Sequence, residues 1–370
     1  MKKAAAFGIG FLAVAGLLAY GGYYLTHNVD WARVYYKRLK AENSYVFDEI
    51  QPSLKKTDPA RLIRIRSGDS ASRIRSDLIE AIWGPVGRPD TIIPETVPDP
   101  PPDGIQQIGG VQSVDTYRIP VDLGYAAFIY LLKPATPNGR LVIYQHGYAG
   151  TVDRNMAHLF ERLLAEGYTV AASNYPEYGR NHFPYQNLER FGWYTLSHDR
   201  VVSIHPRPIR FYVEPIIVLL NAFQDRYEQI DMAGFSAGGW IATLAASIDP
   251  RISKTITVAG GYPLYLRVFN FQRESPPPQF HQPLLQAANY LEMYVLAAAG
   301  ESRSLTQIFN RYDRCCYRNT YVRLYEPAVR DAVKAAGQGY FQAYIDETHA
   351  DHKVSDWAVE RIMETLAADQ

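Results

Sequence analysis

The chain has 370 residues, 47% of them hydrophobic, and balances 38 basic against 38 acidic side chains. A neutral balance excludes the basic footprint that nucleic-acid binding requires, and the apolar content excludes disorder for most of the chain. Two cysteines, adjacent at Cys315 and Cys316, cannot form a disulfide scaffold and lack zinc-site spacing, so the fold must stand on its hydrophobic core.

Lys2 and Lys3 precede a stretch free of Asp, Glu, Lys and Arg from Ala4 to Val29, of which Ala4 to Leu25 is almost entirely apolar. As a helix it is long enough to cross a hydrocarbon core of about 30 Å. Tyr20, Tyr23, Tyr24 and Trp31 gather at its far end, where aromatic rings favour the headgroup layer, so residues 1–30 are expected to be a retained membrane anchor. Ala19-Tyr20-Gly21 also fits signal-peptide cleavage, which would leave a secreted chain, and a buried soluble helix is the third reading. Arg33, Lys37, Arg38 and Lys40 beyond the segment rival the two lysines before it. The expected orientation puts the rest of the chain outside the cytoplasm, periplasmic or extracellular, with a cytoplasm-facing domain as the alternative.

Residues 31 to about 83 read as polar and mostly helical, with Ile74, Leu78, Ile79 and Ile82 at helical spacing within Ala71 to Trp83. Seven prolines between Pro85 and Pro102 forbid a regular helix or central strand. Residues 31–110 are therefore an accessory helical segment and a Pro-rich arm, and 111–370 form one domain. Val111 to Leu132 predicts two strands joined near Asp122-Leu123-Gly124, and Leu141 to Tyr144 a buried strand. Beyond these the pattern alternates. Helices are expected at Asn155–Glu166, Phe211–Arg226, Gly239–Ser247, Tyr325–Ala336 and Asp356–Leu366. Strands are expected at Thr169–Ser173, Ile230–Ala233, Thr255–Val258, Leu305–Phe309 and Phe341–Ile345. Such alternation predicts an α/β fold, a mostly parallel central sheet with helices on both faces. Residues 262 to about 300 interrupt it with aromatics, Ser275-Pro276-Pro277-Pro278 and a helix over Leu284–Ala299, which reads as a cap insertion after the sixth strand.

Gly234-Phe235-Ser236-Ala237-Gly238 fits the nucleophile elbow, in which a serine sits on a sharp turn from strand to helix. The flanking pattern agrees, since a predicted strand precedes it and a helix rich in small residues follows. At that helix N-terminus the backbone N–H of Ala237 would face a developing oxyanion. A serine hydroxyl needs a histidine to take its proton, and the histidine needs a carboxylate to hold its tautomer. In the order serine, acid, histidine, Asp313 follows the Leu305–Phe309 strand and His352 follows the last strand. His349 is the rival base, and Asp346 and Asp351 are the rival acids. His146-Gly147-Tyr148-Ala149-Gly150 ends another strand, and the N–H of Tyr148 is the expected second oxyanion donor. His146 precedes the serine, breaks that order, and is expected to hold the loop.

From about residue 111 to the end, the chain resembles the α/β-hydrolase superfamily through His146-Gly147, the elbow at Ser236, Asp313 and His352. It is similar to poorly characterised bacterial membrane-associated α/β hydrolases in Ile209 to Pro215, Gly234 to Trp240, Phe309 to Cys316 and His352 to Ala358. The resemblance implies a serine hydrolase that cleaves an ester, thioester or amide through an acyl-enzyme, and it supplies no substrate. Two other readings stand beside it: an acyltransferase using the same residues, and a hydrolase-like binding module with a silent site. No cofactor and no metal are expected, because His349 and His352 have no further ligands in pattern. The expected partners are a small-molecule or lipid-like acyl substrate and, through residues 1–30, a membrane. Cys315 and Cys316 read as two buried reduced cysteines, with a vicinal disulfide shaping the Asp313 loop as the alternative. Tyr262, Tyr265, Phe269 and Phe271 are candidates for an acyl pocket or for ordinary core.

Overall fold

The computed structural model describes residues 2–40, 50, 52–90, 92–98, 101–102, 104–152, 156–267 and 277–368, with backbone alone for 2–12, 38, 40, 198 and 199. Two helices open the chain, α1 (Lys2–Asn28) and α2 (Asp30–Lys40), followed by α3 (Pro59–Leu62) and α4 (Gly68–Trp83). Strand β1 (Glu95–Val97) leads to the hairpin β2 (Val111–Asp122) and β3 (Tyr125–Pro134), then β4 (Arg140–Gln145), α5 (Ala157–Ala165) and β5 (Thr169–Ser173). A small ribbon, β6 (Gln186–Leu188) and β7 (Gly192–Tyr194), precedes α6 (His198–Ile204) and α7 (Arg210–Phe223). The remaining run is β8 (Gln229–Phe235), α8 (Ala237–Ile248), β9 (Ile252–Val258), α9 (Gln282–Ala287), α10 (Tyr290–Ala298) and β10 (Ser304–Asn310). It ends with α11 (Glu326–Ala336), β11 (Tyr340–Asp346) and α12 (Asp356–Ala367).

Nine strands form one sheet in the order β1-β2-β3-β5-β4-β8-β9-β10-β11. The pairs β1·β2, β2·β3 and β3·β5 are antiparallel, and β5-β4-β8-β9-β10-β11 run parallel. The fold is thus mixed α/β with a large, mostly parallel sheet. Alternating side chains feed two cores, as the period of two demands. Leu141 and Ile143 of β4 pack with α4, α7, α8, α10 and α11, while Val142 and Tyr144 pack with α5 and α12. Register aligns Gln145 with Gly234, Phe235 with Val258, and Asn310 with Asp346, so the loops after β4, β8, β10 and β11 leave from one edge of the sheet. Ligands of open α/β sheets bind at such carboxyl ends.

One difference from the sequence expectation has a local cause. The helix expected over Leu284–Ala299 is two helices, because Asn289 caps α10: its side chain accepts from Leu291 N and Glu292 N while Glu292 bonds back to Asn289 N. Within the stretch expected as an insertion, α10 is wholly buried against α8 and α11 and carries the chain from β9 to β10; residues 268–276, including Phe269 and Phe271, lie outside the described residues. The Pro-rich arm contributes β1, an edge strand flanked by Pro94 and Pro98, a position that tolerates proline beside it. The preceding segment shares the main core through Leu54, Ile63, Leu78 and Ile82, and Trp83 Nε1 donates to Glu214 Oε2 at 2.7 Å.

The expected anchor forms most of α1, on which Leu17, Leu18, Tyr20, Tyr23 and Tyr24 are exposed; the side chains of residues 1–12 lie outside the described ones. Among the described residues no helix is long and apolar enough to cross a membrane.

Candidate active site

Ser236 joins β8 to α8 at φ +55° and ψ −125°, a left-handed backbone that costs a side-chain-bearing residue about 1–3 kcal/mol. The surroundings enforce the turn. A Cβ on Gly234 would meet Gly238 O at 2.3 Å, and one on Gly238 would meet Gln145 O at 2.1 Å, so both glycines of the elbow are required by close approach to backbone. Ser236 N donates to Val258 O at 2.8 Å, fixing the elbow to β9. The Ser236 hydroxyl is half-buried and makes no hydrogen bond among the described residues. Ala237 opens α8, where the helix dipole and the first N–H groups favour negative charge.

Beside the elbow stands the loop after β4. Gly147 lies so close that a Cβ there would be 2.8 Å from Ser236 Cβ, and Tyr148 follows it with a half-exposed ring edge-on to Tyr175 and Tyr178. The His146 ring packs directly against Gly150 and edge-on to Phe235, a place inside the loop's own fold.

Asp313 and His352 meet across the ends of β10 and β11. His352 Nδ1 lies 2.6 Å from Asp313 Oδ2, and the His352 ring sits 4.6 Å from that of Phe235, the residue before the serine. Asp313 is fully buried and His352 is 19% exposed. The second carboxylate oxygen, Oδ1, accepts from the N–H groups of Cys315 at 2.7 Å and Cys316 at 3.1 Å. Asn310 Nδ2 approaches Asp313 Oδ2 at 3.4 Å and donates to Lys353 O at 2.9 Å, tying the Asp313 loop to the His352 loop. With Nδ1 turned to the carboxylate, Nε2 of His352 has no hydrogen-bond partner among the described residues. A cavity of about 280 Å³ opens here, lined by His146, Gly150, Met156, Phe235, His352 and Val354. A roomier one, about 700 Å³, lies at the opposite edge of the sheet beside Arg303, Tyr340 and Glu364 and holds none of these residues.

The rival residues fall elsewhere. His349 is fully buried: its Nδ1 accepts from Asp351 N–H at 3.1 Å and its Nε2 is 3.2 Å from Asp346 Oδ2. Burial alone would raise the Asp346 carboxyl, but hydrogen bonds from His349, Ser355 and Thr348 outweigh it and hold the pKa at about 2. Ser355 also caps α12 by accepting from Ala358 N at 3.0 Å. Asp351 pairs with Arg33 and Arg314. Cys315 and Cys316 are joined in a disulfide and are half-buried, which corrects the expectation of two buried thiols; their amides converge on one carboxylate oxygen, and that draws the loop tight around Asp313. The two sulfurs and His352 form the one group among the described residues with metal-ligand proximity, but oxidised sulfurs are not thiolates, so the group offers a single imidazole. The sequence reading gives Asn310, Arg33 and Asp30 no role at the site, because each acts through a partner more than forty residues away or by shaping a loop, and no local pattern marks them.

No family model matches the chain, and no curated protein matches its sequence. Among solved structures, the methylesterase BT1017 is similar with a TM-score of 0.58 at 13% identity, over 87% of this chain and 69% of that one. Acetyl xylan esterase 1 from a Thermoanaerobacterium species gives 0.49 at 13% identity, over 86% of this chain and 98% of that one. The esterase Pf2001 from Pyrococcus furiosus gives 0.46 at 17% identity, over 74% and 98%. The first of these likenesses shows a shared fold.

Proposed function

We propose that the chain is a serine hydrolase of the α/β-hydrolase type that cleaves an ester through an acyl-enzyme. The observation that carries this reading is the 2.6 Å contact of His352 Nδ1 with buried Asp313, which leaves Nε2 unspent beside an elbow whose serine holds a positive φ. In this scheme Ser236 Oγ attacks the acyl carbonyl as His352 Nε2 takes its proton, and Asp313 stabilises the imidazolium. The N–H groups of Ala237 and Tyr148 bind the oxyanion. The tetrahedral intermediate collapses as His352 returns the proton to the leaving oxygen. Water then enters, gives its proton to His352, and releases the acid and free Ser236. The name of the fold neighbour, a methylesterase, agrees with an ester substrate.

The reading keeps α1 as a membrane anchor with the catalytic domain periplasmic or extracellular. Two features support it: the exposed apolar and aromatic side chains along α1, and a disulfide, which persists in oxidising compartments.

The test is fluorophosphonate labelling of the full chain in detergent, beside Ser236→Ala, with hydrolysis of p-nitrophenyl esters of increasing acyl length and with or without an added alcohol. Labelling that requires Ser236 and turnover without the alcohol are the expected results. Turnover only with the alcohol would make the chain an acyltransferase, and a folded protein that does not label would end the hydrolase reading.

A further inference from the structure

The two residues that flank His352 are both held by one helix far away in sequence. Lys353 Nζ donates to Asp30 Oδ2 at 3.1 Å, and Arg33 donates to Asp351 Oδ2. Asp30 and Arg33 lie three apart on α2, hence on one face, and themselves approach at 3.9 Å. Asp351 and Lys353 straddle the histidine in the same order, acid before base, so the two pairs form crosswise. The same helix turn presents Val34 to Tyr312 and Ala350, and Tyr312 is the residue before Asp313. At its other end Arg33 Nε donates to Thr26 O at 3.2 Å, within the last turn of α1. One turn of α2 therefore touches the acid's loop, the base's loop and the end of α1.

We propose that α2 is the positioning element of His352, with Arg33 and Asp30 as its positioning residues. The inference rests on the serine-hydrolase reading. The backbone of residues 351–353 sets where the imidazole points, and its supports other than α2 are Asn310 at Lys353 O, His349 Nδ1 at the Asp351 amide, Arg314 at the Asp351 carboxylate and Asp313 at the ring itself. Arg33 and Asp351 are mostly shielded, with side chains 14% and 20% exposed, whereas Asp30 and Lys353 are 44% and 41% exposed. The first pair thus carries more of the hold, since ion pairs in water contribute little. Because α2 continues directly from α1, the hold also links the base's loop to the segment proposed as the anchor.

The experiment uses the full chain in detergent and compares wild type with Arg33→Ala, Arg33→Lys, Asp30→Lys, and Asp30→Lys combined with Lys353→Asp. It reads kcat, KM and the rate of fluorophosphonate labelling at Ser236. Loss of fixed geometry at a catalytic group is expected to lower kcat and labelling about tenfold in Arg33→Ala, with KM within about twofold. Arg33→Lys should recover part of the loss, because it keeps the charge but not the planar fork. The charge swap should recover the smaller deficit of Asp30→Lys. Wild-type kcat in Arg33→Ala, or a deficit in Asp30→Lys that the swap leaves unchanged, overturns the inference while wild type still labels. Wild type that neither labels nor turns over removes the hydrolase reading and this inference with it.

Discussion

Two aspartate–histidine pairs have their histidines three residues apart in the chain, and they differ in what surrounds those histidines. His352 spends Nδ1 on Asp313, keeps Nε2 free of partners among the described residues, and borders a cavity. His349, three residues earlier, is fully buried, with Nδ1 taken by the Asp351 amide and Nε2 at 3.2 Å from Asp346 Oδ2 without a well-formed hydrogen bond. The carboxylates differ in the same sense. Asp346 gathers Thr348, Ser355 and His349 around it and fastens the loop to α12, whereas Asp313 receives two loop amides and orients one ring. A shared residue type and a shared carboxylate partner therefore do not single out a candidate base; a ring that borders a cavity does.

The largest effects test that distinction directly. His352→Ala and Asp313→Asn should each lower kcat by about 10⁴, as loss of a base or its tautomer control does, with little change in the unfolding midpoint. His349→Ala should do the reverse: kcat within a few-fold of wild type, and a loss of about 1–3 kcal/mol in unfolding free energy from a buried network left unsatisfied. Steady-state kinetics and urea unfolding on the same preparations check both. A severe kcat loss in His349→Ala with normal stability would exchange the roles of the two pairs.

Much of this contrast is hidden from the sequence. Parallel strands covered on both faces read as short apolar runs, which is why Thr169–Ser173 is legible to its boundaries. The helix after the elbow is legible from its small residues, which close approach to β4 and β9 demands. What decides between Asp313 and Asp346 is not local, because both lie at or just past the C-terminal end of neighbouring strands, where β10 and β11 stand in register. Only the direction of each side chain separates them. The break between α9 and α10 hangs on one reciprocal cap at Asn289, weaker as a pattern than the apolar run that passes through it. The approach of α2 to His352 spans more than three hundred residues and leaves no periodic trace.

The next prediction follows from the Asp346 carboxyl, held at about 2 by the hydrogen bonds that His349, Ser355 and Thr348 direct at it against the opposing effect of burial. A carboxyl whose folded pKa is depressed contributes stability above its unfolded pKa and loses it as pH falls through the folded value. That depression, from 3.8 to about 2, corresponds to about 2 kcal/mol, fully present above about pH 4 and lost toward pH 2. Urea midpoints of wild type and Asp346→Asn should therefore differ most at pH 5 to 7 and converge as pH drops below 4. A gap that stays constant with pH would show that Asp346 acts by packing and not by charge, and would weaken its contrast with Asp313.

The smallest expected effect concerns how tightly Asp313 itself is held. Its Oδ1 depends on two amides that belong to the disulfide-linked pair Cys315 and Cys316, while Oδ2 faces His352 and Asn310. Opening the disulfide removes no donor, since both N–H groups remain, but it frees the two residues to rotate away from the carboxylate. Reduction with a phosphine should then lower kcat by only a few-fold, because the buried carboxylate keeps its histidine and the Asn310 contact. Cys315→Ser with Cys316→Ser should match the reduced wild type and show no further response to the phosphine. If the double variant retains full kcat, the loop is ordered by its packing around Tyr312 and Tyr317 without the disulfide, and Asp313 and Asp346 are then held alike, by hydrogen bonds within preformed loops.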